Sequence, residues 1–383
     1  MQLVPPWDDC IKLCFLPMDA KDIDIGIRNK NYIAFAGKKA YNINYIFYSI
    51  LSDIKGGLSE AEAIKKISLE SDIDSEEVKK SFYGFMTSVN HNLANNKSYI
   101  KGKIIIFRKN TTEKISHYFQ EFFCRNAFFI FFTLSLLINI VFFVTHTNAI
   151  LGDLSKGFTL FQLCALFVLS NIFVVFHEIG HASASLKFGL PARDIGFGFY
   201  FIFPVFFTDV TRVWLLSRNR RLVVNIAGIY FQLLANMCMI VIFCLTNEYF
   251  VRKILTYLIA SNNVVMLCSA IPFFRNDGYW VYSDIFGVEN LVTRADQLTS
   301  KWIHGIKWTK KECNKPLLFY LIGNWLFRLF IFYKLIEIAV VTYKGIEWNT
   351  INFTLINRVS VILISMIGVV MMITSMYSKL RKL

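Results

Sequence analysis

Six long apolar runs, all beyond Arg125, constrain this chain more than any other feature of its sequence. They cover about Ala127 to Thr145, Phe158 to Phe176, Leu222 to Leu245, Ile254 to Ile271, Leu317 to Val341 and Thr354 to Tyr377. Each is close to the ~20 residues that a helix needs to cross a ~30 Å hydrocarbon core. The sequence therefore predicts a mainly α, polytopic membrane protein with about six transmembrane helices. Composition agrees, since 55% of the residues are hydrophobic and 18% charged, against roughly 45–50% and 25% in soluble domains. Disorder is excluded by 38 Phe, 17 Tyr and 7 Trp, far more burial than a disordered chain carries. The third and fourth runs contain Asn225, Gln232 and Asn236, and Asn262 and Asn263. In lipid such amides are costly unless they face the bundle interior.

The chain carries a net charge of +14, and its placement decides between nucleic acid and membrane. With both termini on one side, the loops and tail on that side hold sixteen Lys and Arg, and the opposite loops only Lys156, Arg252, Lys253 and Lys344. This positive-inside bias predicts a multi-pass protein of the plasma membrane with both termini cytoplasmic. The N-terminus, with Pro5, Pro6, Asp8 and Asp9, lacks the basic start and apolar run of a signal peptide, so no cleaved signal is expected. Eight cysteines show no CxxC pair and several sit in apolar runs, where reduced, buried thiols are expected.

Residues 1–115 read as a separate cytoplasmic domain, ahead of a membrane domain at 116–383. Short strand patterns at Tyr32 to Phe35 and Lys39 to Ile43 flank a turn, helical patterns follow at Tyr45 to Leu51, Ser59 to Leu69 and Ser75 to Asn90, and a last strand pattern, Lys103 to Phe107, closes the domain. Ser59 and Asp74 stand where helix caps belong, each followed by acidic first turns. A hairpin, three helices and a wing make an α+β winged-helix arrangement. The net charge over residues 1–126 is only +3, with acids on the would-be recognition helices, so peptide or partner binding is expected and nucleic acid is not.

One segment, Gly196 to Trp214, fits no ordinary span. It is aromatic and β-branched, includes Pro204, and ends in Thr208, Asp209 and Thr211. A strand-like, re-entrant element suits it, and such backbone is tolerated at membrane depth only where protein or a water-filled cavity covers it. It is a candidate wall of an internal site, with Asp209 a candidate substrate contact; an amphipathic interfacial loop is the alternative.

The chemistry is concentrated at His177-Glu178-Ile179-Gly180-His181, at the end of the second run. Two His at i and i+4 share one helical face and can reach one Zn²⁺, while the intervening Glu178 can serve as general base. A catalytic zinc needs a third protein ligand and an open position. Asp277, in Ile271-Pro272-Phe273-Phe274-Arg275-Asn276-Asp277-Gly278, lies just past the inner end of the fourth run, at the same expected depth as the histidines. It suits that role; a helix cap or turn aspartate is the alternative reading.

These residues resemble the site-two protease family of intramembrane zinc metalloproteases, in the branch described as peptide zinc metalloproteases. The similarity runs through FHEIGHASASLKFGL, FPVFFTDVTRVW, RLVVNIAGIYFQLLAN and NDGYWVYSDIFGVENL, over about Phe158 to Leu291. It implies His177, His181 and Asp277 as zinc ligands and Glu178 as base. It also implies an N-terminal PqqD-like domain that binds leader peptides of ribosomally made, modified peptides. The family usually has Asn eight residues before its aspartate, where this chain has Ser269; Ser269, or Asn262 or Asn263 one to two turns earlier, is then expected to handle the substrate. The activity implied is hydrolysis of a peptide bond in a small precursor or membrane-associated peptide, in maturation or export. Two other readings stay open: a zinc-binding membrane protein for peptide export or immunity without essential proteolysis, and regulated intramembrane proteolysis of a signalling protein.

Overall fold

The computed structural model describes residues 19–28, 31–37, 39–94, 100–155, 159–200, 203–309 and 312–344. The run expected at Thr354 to Tyr377 lies outside them, as do Cys10 and Cys14. The chain is mainly helical and divides into two compact units between Met266 and Leu267.

The first unit opens with an antiparallel sheet, β1 (Asp24–Arg28), β2 (Asn31–Ala36) and β3 (Lys39–Ile43), in that order. Helices α1 (Tyr45–Lys55), α2 (Glu60–Ser71) and α3 (Ser75–Ala94) follow. The two expected strands and three expected helices form, and β1 is added beside them. Ser59 closes a capping box with Glu62 at the start of α2, as its position predicts. Ala34 and Ala36 of β2 pack with Ile50, Leu51 and Ile54 of α1, Ile64 and Ile67 of α2, and Phe82 and Val89 of α3 into one buried core.

The strand expected to close this domain does form, as β4 (Ile100–Phe107), but elsewhere. It pairs antiparallel with β5 (Ile195–Tyr200), which pairs with β6 (Phe203–Thr208). The wing assigned to Lys103 to Phe107 is therefore corrected: this strand belongs to a second sheet. The physical reason lies in Ile104, Ile105 and Ile106, three exposed apolar residues in succession, which would leave a soluble wing greasy on both faces. The strand character expected for Gly196 to Trp214 is present in β5 and β6, whose register runs from Ile195 opposite Thr208 to Phe199 opposite Pro204.

After β4 come α4 (Lys109–Phe119), α5 (Arg125–Ser155) and α6 (Leu160–Lys187), then β5 and β6, a 3₁₀ turn at Thr211–Leu215, α7 (Arg218–Leu245) and α8 (Tyr249–Ala270). Among the described residues, four helices, α5 to α8, are long and apolar enough to cross a membrane. α7 is their centre: 61% of its apolar window is buried, against 22%, 28% and 33% for α5, α6 and α8. The outer faces present Leu137, Ile140 and Val144 of α5 and Phe167, Val168 and Ile172 of α6, as helices solvated by lipid require.

The second unit contains α9 (Asp277–Phe286), α10 (Leu291–Ile303) and α11 (Lys315–Lys344). Tyr279, Leu291, Ala295, Leu298, Leu317 and Tyr320 form its core. α11 covers the fifth apolar run but carries Asn324, Arg328, Lys334 and Glu337 within it, and it is not among those four candidate spans.

Candidate metal centre

His177, Glu178 and His181 lie on α6, each less than 10% exposed. Their helical spacing brings the two imidazoles to one face, with ring centroids 4.8 Å apart and Nε2 atoms 3.1 Å apart. The opposite ring nitrogens face acceptors. His177 Nδ1 lies 3.0 Å from Gln232 Oε1, and His181 Nδ1 lies 2.8 Å from the Val224 carbonyl. Those oxygens accept, so each Nδ1 carries the hydrogen and each Nε2 keeps a lone pair. Two lone pairs facing each other at that distance repel unless a cation sits between them. The donor chemistry of the pair therefore fits zinc, and the acceptors behind the rings are the partners that metal-ligating histidines need.

Two glycines allow this approach. A Cβ on Gly180 would sit 2.6 Å from the Ala227 carbonyl, and a Cβ on Gly228 would sit 2.3 Å from the His177 ring. α6 and α7 thus cross at small residues, and the ring of His177 occupies the space Gly228 leaves. Phe176 and Phe231, with ring centroids 4.8 Å apart, pack the same crossing.

The second sheet reaches this region through its last residue. Thr208 Oγ1 donates to the Glu178 carbonyl at 3.5 Å, so the end of β6 lies against α6 at Glu178. Asp209 follows; its Oδ1 accepts from the Thr211 amide at 3.1 Å and from the Thr211 hydroxyl at 2.6 Å, which folds the chain into the 3₁₀ turn. Its carboxylate also lines a shallow recess with Ala182, Ser185, Arg193 and Arg212, one turn beyond His181.

Among the residues expected to handle substrate, Asn262 is buried and its amide is engaged by Gln232 and Asn236. Asn263 donates to the Ile259 carbonyl within its own helix at 2.8 Å. Ser269 is partly exposed near the end of α8. Asp277, in the second unit, is the first residue of α9, with its Oδ2 buried. Gly278 beside it is required by packing, since a Cβ there would fall 2.1 Å from the Ala270 carbonyl.

Sequence reasoning named Gln232 as a polar residue facing inward, without linking it to His177. It missed Asn139, whose signal was available as a lone amide in the apolar stretch Leu136-Leu137-Ile138-Asn139-Ile140.

Among curated proteins, the chain is 26% identical over 154 residues to the "Putative peptide zinc metalloprotease protein YydH" of Bacillus subtilis (strain 168). The alignment covers 40% of this chain, and the chain spans 58% of that relative's length. No family model matches the chain, and no solved structure matches it.

Proposed function

We propose that this chain is a zinc metalloendopeptidase of the site-two protease type, which hydrolyses a peptide bond in a small precursor or membrane-associated peptide within or beside the bilayer. One observation carries the reading: two buried imidazoles on a membrane-length helix face each other through Nε2, each backed by an acceptor on Nδ1, with Glu178 between them in sequence. The relative's name, a peptide zinc metalloprotease, supports it.

His177 and His181 hold the metal, and Asp277 completes the set, because a catalytic zinc takes three protein ligands and two imidazoles with one carboxylate suit it. Zinc, when bound, supplies a Lewis acid for the scissile carbonyl and for water. Glu178 is the proton carrier: its carboxylate takes a proton from the attacking water and delivers it to the leaving amine. The substrate is unwound before cleavage, since a helix hides its carbonyls in i to i+4 bonds, and the extended strand pairs with the edge of the second sheet. The N-terminal domain, of the PqqD-like type that the resemblance implies, binds the leader or the peptide itself and delivers it from the cytoplasm. Maturation or export of a ribosomally made, modified peptide is the process that fits these parts.

The test is made on the full chain purified in detergent. It takes up stoichiometric zinc, His177→Ala loses it, and Glu178→Gln keeps it. Glu178→Gln lowers peptide processing by ~10²–10⁴-fold, the ordinary contribution of a general base, read by mass spectrometry of peptides from cells carrying each form. Unchanged processing with Glu178→Gln would sink the proteolytic reading in favour of a zinc-binding role in export or immunity.

A further inference from the structure

The buried amides of the membrane helices form one directed chain that ends on His177. Gln232 Oε1 accepts from His177 Nδ1 at 3.0 Å, and Gln232 Nε2 donates to Asn262 Oδ1 at 3.0 Å. Asn262 Nδ2 donates to Asn236 Oδ1 at 2.8 Å and to the Gln232 backbone carbonyl at 3.1 Å. Asn236 Nδ2 donates to Asn139 Oδ1 at 2.8 Å, and Asn139 Nδ2 donates to the Ser135 carbonyl at 2.8 Å. The chain thus joins α5, α6, α7 and α8, and its four amide side chains are between 0% and 3% exposed.

A carboxamide alone could turn over and exchange its oxygen for its nitrogen. Backbone carbonyls forbid that here, because they only accept. The Ser135 carbonyl holds Asn139 with its nitrogen outward, and the Gln232 carbonyl holds Asn262 the same way. Asn262 must then offer its oxygen to Gln232 Nε2, and Gln232 must offer its oxygen to His177. The His177 hydrogen is thereby confined to Nδ1, and the lone pair is confined to Nε2, the nitrogen that faces His181.

We infer that Asn262, backed by Asn236 and Asn139, is a positioning residue that acts through Gln232 to hold His177 in the tautomer able to bind metal. The inference rests on the zinc reading above and deepens it. It also gives Asn262 a role behind the metal in place of the substrate contact expected from sequence. Loss of such an outer partner commonly weakens metal affinity ~10–100-fold.

The experiment measures zinc affinity of the full chain by competition with a chromophoric chelator. Asn262→Leu is expected to bind ~10–100-fold more weakly. Gln232→Glu offers oxygen at both positions, so it accepts from His177 whichever way it lies, and the Asn262→Leu, Gln232→Glu double variant is expected to regain most of the lost affinity. A purely structural Asn262 would not be rescued by adding a buried carboxylate. Ser261→Ala removes a neighbouring contact between α6 and α8, the 3.3 Å approach of Ser261 to Ser170, and is expected to leave zinc affinity unchanged. Native affinity in a folded Asn262→Leu variant overturns the inference, and so does a double variant as weak as Asn262→Leu alone. Should Asn262→Leu not fold, ¹⁵N spectra of the zinc-loaded native chain decide: zinc on His177 Nε2 with hydrogen on Nδ1 supports it, and zinc on Nδ1 overturns it. A native chain that takes up no zinc overturns the zinc reading itself; zinc lost with His177→Ala but kept at full strength by Asn262→Leu overturns the inference alone.

Discussion

The tightest constraint at the scale of single residues is Gly228. Its missing Cβ is what lets the His177 ring lie against α7, because an added methyl would stand 2.3 to 2.6 Å from three ring atoms. The ring cannot retreat without leaving Gln232, so the collision resolves by turning His177 or by separating the helices. Gly228→Ala is expected to cost about 1–3 kcal/mol of stability, the ordinary cost of overpacking a filled core, and to weaken zinc binding with it. Thermal unfolding and zinc competition on the same preparation check both effects. The histidine and glutamate identities were legible in sequence because i, i+4 spacing is local. The glycine's reason was not, because its partner lies 51 positions away on another helix.

The second sheet is the element whose behaviour sequence and structure divide most evenly. Aromatic and β-branched content made strands of β5 and β6 legible, and Pro204 fits a strand at a sheet edge. The partner of β4 was not legible, since the edge of this eight-residue strand pairs equally well on paper with either sheet. A proline removes one N–H, and neighbouring N–H groups of a strand point to opposite sides. Substituting proline at Val205 and at Phe206, one at a time, therefore separates the two edges of β6. One variant loses a bond to β5 and loosens the sheet. The other leaves the sheet assembled and blocks only a substrate strand, and it is expected to abolish peptide processing while zinc uptake stays native. Full processing in both variants would remove strand addition from the mechanism.

At the scale of the whole molecule, the first sheet is joined to the 3₁₀ turn ahead of α7 by more than chain connectivity. Asp24 of β1 pairs with Lys55 at 2.9 Å and with Arg212 of the 3₁₀ turn, and Gly26 packs against Leu215. Partial burial pushes the Asp24 carboxyl up, but Lys55 and Arg212 outweigh it and hold the pKa below its usual value. A lowered pKa stabilises docking above the ordinary carboxylate range, ~4, and that contribution is lost as pH falls through the lowered value. Hydrogen exchange in β1 and in the Thr211–Leu215 turn is expected to quicken on acidification below ~4, and at neutral pH in Arg212→Ala. Exchange that stays slow in Arg212→Ala would show that docking does not depend on this pair. Since the turn follows directly on β6, this contact ties the peptide-binding domain of the proposal to the strand that would meet its substrate.

What the sequence determined by itself is what local physics controls. Apolar runs of membrane length require helices in lipid, alternating and aromatic stretches make strands, Ser59 caps its helix, and two histidines one turn apart share a face. Only the tertiary structure decided what those pieces touch: that β4 leaves the first domain for the second sheet, that Gly228 makes room for a ring, and that Gln232, Asn262, Asn236 and Asn139 align into one chain behind His177. The reason is physical. Helix and strand formation depend on neighbours a few residues apart, whereas a hydrogen-bond direction inside a bundle depends on how four helices pack, and no spacing within any one of them records it.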